Sequence, residues 1–161
     1  RFEVAKHDIA LGGAERFHSV KNGIAALSDE VKTIAVHDAV RPLFSKKLII
    51  RLILEAEKHS AVIPTVPPAD SYRVIEGESS KIIDRSTLQI VQTPQVFNAQ
   101  TLRKAYEQPF SAQFTDDASV VESMGGVITL CEGERENIKL TTPSDMIFAE
   151  AIISAENESE F

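Results

Sequence analysis

The sequence predicts an α/β domain built on a mostly parallel sheet. Short apolar runs of β type alternate with stretches whose apolar residues recur at helical spacing. The run Thr33-Ile34-Ala35-Val36 ends directly in the polar pair His37-Asp38, as a strand covered on both faces does. The 161 residues, 43% apolar and 25% charged, suit a single globular domain over 1–161 with one real core.

The elements follow in order. Gly12-Gly13 marks a turn, and Val20, Ile24 and Leu27 then recur at helical spacing, which predicts an amphipathic helix over 15–27. The strand 33–36 comes next. Ser45 is placed to cap a helix over 46–58, with Leu48, Leu52 and Ile53 on its core face. Ala61-Val62-Ile63-Pro64 reads as a second strand. In the stretch 66–86, Tyr72 to Ile75 and Lys81 to Ile83 flank Glu76-Gly77-Glu78-Ser79-Ser80, the pattern of a hairpin. It has few large apolar residues to bury and reads as a projecting arm. Helices are predicted over 98–107 and 115–123, and a strand over Val127 to Leu130 after Gly125-Gly126. A last helix starts at Pro143 with Thr142 as its cap and carries Met146, Ile147, Ala149, Ile152 and Ile153.

Charge and composition narrow the functional classes. Seventeen basic against 24 acidic residues give a net charge of −7, so the overall field does not gather nucleic acid. Cys131 is the only cysteine, which excludes an internal disulfide and a cysteine-based zinc cage and fits a reduced, cytoplasmic setting. No apolar run is long enough for a membrane span, and no signal peptide is recognisable. The opening residues Arg1-Phe2-Glu3-Val4 read as mid-domain sequence, so a preceding segment is expected.

In open α/β sheets ligands bind off the carboxyl ends of the strands, so polar residues that directly follow apolar runs are the candidates. Gly12-Gly13-Ala14-Glu15-Arg16, leading to Ser19, lets backbone approach a ligand at a helix start, or is a plain turn. In His37-Asp38-Ala39-Val40-Arg41-Pro42, Asp38 suits a metal or a sugar hydroxyl and Arg41 suits a phosphate; an ion pair closing the loop is the other reading. His37 reads as a packed structural histidine. In Asn137-Ile138-Lys139-Leu140, a lysine inside a short apolar run points to an anion, or snorkels to the surface. Asp84-Arg85, Thr93-Pro94-Gln95 and Thr115-Asp116-Asp117 are further candidates, the last read as a helix cap. The residues alone thus reach an anion-binding α/β domain for phosphorylated small molecules.

In order, these clusters resemble one family. The motifs are Gly-Gly-x-Glu-Arg with Ser19, Val-His-Asp-Ala-x-Arg-Pro (36–42), Asp84-Arg85, Thr-Pro-Gln (93–95), Thr-Asp-Asp-Ala-Ser (115–119) and Asn-Ile-Lys-x-Thr-x-Pro-x-Asp (137–145). The family is the 2-C-methyl-D-erythritol 4-phosphate cytidylyltransferases of the non-mevalonate isoprenoid route. The resemblance implies a Rossmann-like nucleotidyltransferase three-layer sandwich. It also implies a homodimer whose arm, 66–86, reaches the partner's site, CTP as co-substrate, and Mg²⁺ or another divalent cation.

By motif, Gly13, Ala14, Ser19, Asp38 and Ala39 would face the nucleotide, with Asp38 as the metal ligand. Arg41, Arg85, Thr115, Thr93 and the arm hydroxyl of Ser71 would face the alcohol phosphate. Lys139, Arg41 and Asp38 would be the catalytic groups. The family's Gly-rich triphosphate loop does not precede Arg1 in this sequence, so the 161 residues alone are expected to bind CTP poorly and turn over negligibly. The alternatives are a ribitol 5-phosphate cytidylyltransferase, a phosphoacceptor signalling domain and a non-catalytic domain.

Overall fold

The computed structural model describes residues 7–159, so the opening run Arg1 to Val4 lies outside the described residues. The chain order is α1 (Arg16–Ala25), β1 (Thr33–Val36), α2 (Lys46–Ala56), β2 (Ala61–Val66), β3 (Tyr72–Glu76), β4 (Ser79–Ile83), β5 (Ile90–Val91), β6 (Gln95–Asn98), α3 (Ala99–Ala105), α4 (Asp117–Glu122), β7 (Thr129–Glu132) and α5 (Pro143–Ser159). A short 3₁₀ turn, Arg85–Thr87, follows β4 and is capped by the Asp84 carboxylate.

The main sheet is mixed. β1, β2 and β7 share one direction, while β5 and β6 run against them. The order is β1-β6-β2-β5, with β7 on the other edge of β2. The expected common direction therefore describes the three strands read from the sequence. The antiparallel β6, unread, lies between β1 and β2.

Along β2, the strands β5 and β6 form one interrupted track. Thr65 pairs with Val91 and Val62 with Val96, so two more residues separate the partners than separate Thr65 from Val62. The surplus is a bulge at Thr93-Pro94. Bulges re-aim the chain beside functional sites.

Alternation along the strands builds a core on each face. Ala61, Ile63, Ile34 and Phe97 join Phe17, Leu102 and Val121 under α1, α3 and α4. Val62 and Val96 join Leu48 and Leu52 of α2 on the opposite face, with Cys131 packed against them. Helices, sheet and helix give the three layers expected. Cys131 is partly buried against this second cluster, and burial raises its thiol pKa.

Local signals work as predicted at several places. Ser45 Oγ accepts the Leu48 N–H at 3.0 Å and starts α2. At Pro143 the cap is reciprocal to expectation: the Asp145 carboxylate accepts the N–H groups of Thr141 (2.8 Å) and Thr142 (2.6 Å). Gly125, with φ +82°, turns the chain from α4 towards β7. Two core assignments are corrected. Ile53 of α2 is exposed, and of the α5 residues named above only Ala149 is buried. Both helices carry more apolar residues than this sheet covers.

β3 and β4 pair only with each other, as a separate two-stranded sheet. Every residue of β3 is exposed, and Ile75 reaches 79%. The arm's base is closed by Arg85, whose Nη1 donates to the Ala69 carbonyl at 2.7 Å.

Candidate active site

The bulge between β5 and β6 is where three distant loops meet. The Asp38 N–H donates to Thr93 Oγ1 at 3.0 Å, and that hydroxyl also bonds His37 Nδ1 at 3.0 Å. The other ring nitrogen, Nε2, bonds the Arg41 carbonyl at 2.8 Å. His37 is thus held at both nitrogens and, as read from the sequence, is structural. From the third loop, Asn137 Nδ2 donates to the Thr93 carbonyl at 2.9 Å, and the Leu140 N–H donates to the Val40 carbonyl at 2.8 Å.

These ties enclose a cavity of about 290 Å³ lined by Arg16, Asp38, Arg41, Thr93, Thr115 and Lys139, among others. Its charged groups interlock. Lys139 Nζ lies 3.1 Å from Asp38 Oδ2, and Arg16 Nη2 lies 3.3 Å from Asp38 Oδ1. Burial works to raise the Asp38 pKa, but the hydrogen bond from Lys139 and the nearby Arg16 charge outweigh it, and the carboxyl sits below its ordinary range.

Arg41 is almost fully buried, at 9% exposure. Its guanidinium bonds only carbonyls, Nη1 to Asn137 at 2.8 Å and Nη2 to Val91 at 3.4 Å. Its Nε is buried without a partner, and among the described residues it has no ion pair. Desolvation pulls its pKa below the usual arginine value, with the Asp38 charge acting the other way. A buried cation held by carbonyls alone is costly until an anion arrives.

Asp38, Arg41, Thr93, Thr115 and Lys139 are thus brought to one cavity. Thr93 contributes mainly by holding the loops, since its hydroxyl and carbonyl are engaged internally. The remaining candidates do not line this cavity. Gly13 and Ser19 bond each other, the Gly13 N–H donating to Ser19 Oγ at 2.9 Å. A Cβ on Gly13 would fall 2.3 Å from His18 Cβ, so close packing requires glycine there. Ala14 and Ala39 are exposed, and Ser71 and Arg85 belong to the arm.

Sequence reasoning named Arg16 within the cluster 12–16 and Asp117 within 115–117, but missed that the two side chains pair at the cavity. Arg16 Nη2 also meets Asp117 Oδ2 at 2.7 Å. Asp117 is fully buried and accepts the Tyr106 hydroxyl at 2.5 Å. The Arg16 pKa is raised: burial opposes this, but the bond to Asp117 and the charges of Asp117 and Asp38 outweigh burial. Asp116 is a cap, as read, with its side chain on the Ser119 N–H and on Gln95 Nε2. Among the described residues no three of His, Cys, Asp or Glu gather as a metal cage.

Comparison with known proteins adds independent information. Residues 3–155 match the family model described as IspD, 2-C-methyl-D-erythritol 4-phosphate cytidylyltransferase. A protein of that name from Bacteroides fragilis is 49% identical over 148 residues, covering 92% of this chain and 67% of the relative. One from Bacillus licheniformis is 43% identical over 156 residues, covering 95% and 67%. Among solved structures, the cytidylyltransferase from Thermus thermophilus superposes with a TM-score of 0.78 at 34% identity, covering 89% of this chain and 71% of that one. The 4-diphosphocytidyl-2C-methyl-D-erythritol synthase from Anaerococcus prevotii gives 0.80 at 30% identity, covering 89% and 68%.

Proposed function

The chain belongs to the 2-C-methyl-D-erythritol 4-phosphate cytidylyltransferase family, and from that premise we propose how its residues move CMP from CTP to the alcohol phosphate. An oxygen of the alcohol's phosphate attacks the α-phosphorus of CTP. The bond from that phosphorus to the bridging oxygen breaks, and pyrophosphate leaves. The nucleophile is already ionised, so the protein needs no strong base. It must align two anions and offset the charge that develops between them.

The observation that carries this reading is Arg41, a buried guanidinium without a counter-ion, in the same cavity as Lys139. Arg41 grips a phosphate from the cavity wall. Lys139, half-exposed at the rim, leaves Asp38 to neutralise the α-phosphate. Asp38 holds the ribose side. Gly13, Ala14, Ser19 and Ala39 line the approach of the cytidine end. Thr115 contacts the alcohol phosphate together with Arg85 and Ser71, which the arm of a partner subunit supplies. The exposed apolar residues Val74, Ile75 and Ile82 support a homodimer through this arm.

A divalent cation fits the donor set in one form only. Of the two carboxylates at the cavity, Asp116 is taken up by the Ser119 N–H and Gln95, which leaves Asp38, so Mg²⁺ would be held mostly by substrate phosphates, the mode in which that ion commonly binds. When bound, it withdraws negative charge from the phosphate oxygens. Among the described residues no helix is long and apolar enough to cross a membrane. The cytoplasmic setting is supported by Cys131, a lone thiol packed against the core.

Names of the relatives favour methylerythritol phosphate over ribitol 5-phosphate. The test supplies the full-length protein with CTP, Mg²⁺ and each alcohol phosphate in turn. Pyrophosphate and the CDP-alcohol should form in equal amounts with methylerythritol phosphate. Preference for ribitol phosphate, or pyrophosphate without the CDP-alcohol, would overturn the assignment.

A further inference from the structure

This inference rests on the phosphate-binding role given to Lys139 above. Two cations form ion pairs with Asp38, and they are held differently. Among the described residues Lys139 has Asp38 as its only ion pair, and its side chain is 47% exposed. Arg16 uses one nitrogen, Nη2, to reach both Asp38 and Asp117. Asp117 is immobilised by burial and by the Tyr106 hydroxyl. The Tyr106 ring in turn stacks on Phe17, the neighbour of Arg16, at a centroid distance of 4.7 Å. Arg16 is therefore fixed from behind, while Lys139 is free to swing.

We infer that Arg16 is a positioning residue that retains the Asp38 carboxylate while Lys139 turns to a bound phosphate. Asp38 is largely shielded from water, with a side chain only 16% exposed. If Lys139 left it alone, a carboxylate would be stranded at the cavity wall, and that cost would oppose transfer of the amine to the ligand. Arg16 keeps one oxygen of Asp38 paired throughout. Without Arg16, Asp38 would keep only its pair with Lys139, and Lys139 would be held more tightly on it.

Two measurements test this. The first is trace acetylation with acetic anhydride, with Lys139 read by mass spectrometry against Lys104 as internal reference. R16Q should slow Lys139 labelling by about two- to fivefold, the weight of one partly exposed ion pair, and R16K should restore it. The double variant R16Q/D117N, which removes the uncompensated buried carboxylate, guards against loss of folding and should show the same slowing. The second is a double-mutant cycle on kcat in the full-length protein. R16Q should lower kcat by roughly tenfold alone but by less than about twofold in a K139A background, because the effect runs through that amine. Unchanged labelling in the folded variants, or effects that simply multiply, would overturn the inference. An inactive wild type would overturn the cytidylyl-transfer reading, and the labelling comparison would still decide this one.

Discussion

The cavity floor and the β3–β4 arm are both polar-rich stretches outside the apolar core, yet they are built in opposite ways. At the floor, Thr93, Asn137, Gln95 and Arg41 are buried and tied to loops far away in sequence. In the arm, every residue from Tyr72 to Lys81 is exposed, and the bonds are local, such as Arg73 to Ser80 and Lys81 to Glu76. The difference teaches what each region is for. On the proposed function, the groups that would position a phosphate are the ones locked by several partners. The hairpin's bare isoleucines are the surface that the proposed arm-mediated dimer would cover.

The largest test of this contrast is the removal of Lys139, a half-exposed rim residue whose one ion pair among the described residues is with Asp38. K139A should lower kcat by roughly 10²- to 10³-fold, the scale of losing one preorganised charge donor, while the thermal midpoint stays nearly unchanged. If the midpoint drops sharply, Lys139 belongs to the scaffold. Next comes D117A. It removes the buried anchor of Arg16 and leaves the Tyr106 hydroxyl unpaired, so it should cost about 3 kcal/mol in urea unfolding. A cost within the noise would mean that the floor is not locked from behind.

In the arm, I75S with I82S should change monomer stability by less than ~0.5 kcal/mol, as exposed substitutions do. The same variant should lower the mass seen by light scattering to that of one chain. Unaltered dimers would break the contrast at its outer end.

The smallest effect is at the start of α5, a surface lock outside both regions. Accepting the N–H groups of Thr141 and Thr142 holds the Asp145 carboxyl below its usual value near 3.8. A depressed native pKa contributes stability that is complete above the unfolded value and is lost as pH falls through the native one. D145N should therefore lower stability slightly at neutral pH, where the carboxylate's contribution is complete, and its denaturation curve should converge with that of the wild type below about pH 4.

Much of this architecture is visible in local sequence. The strand Thr33–Val36 needs only its apolar run and polar stop, and Ser45 announces α2 through a hydroxyl at the right offset. The hairpin announces itself through Gly77, which takes φ +62° in the turn. β5 and β6 escape because two residues at 90–91 and four in Gln95-Val96-Phe97-Asn98 are too short and too polar-ended to show a period. They exist because β2 offers an edge that tertiary packing covers.

At the site, Asp38, Arg41 and Lys139 could be read from the cost of placing charge beside an apolar run. The role of the Arg16 side chain could not. Its motif is visible, but its partner Asp117 is 101 positions away. No local signal joins the two, although an acidic residue buried completely at the start of α4 requires a cation from somewhere.

The bond between the Leu140 amide and the Val40 carbonyl has a consequence for biosynthesis. It joins loops one hundred positions apart, and Lys139 sits beside that junction. A growing polypeptide on the ribosome therefore has no finished pocket until Leu140 has emerged, so nucleotide cannot template the early stages of collapse. The earlier sheet must hold Asp38 and Arg41 ready for a lysine that is translated long after them.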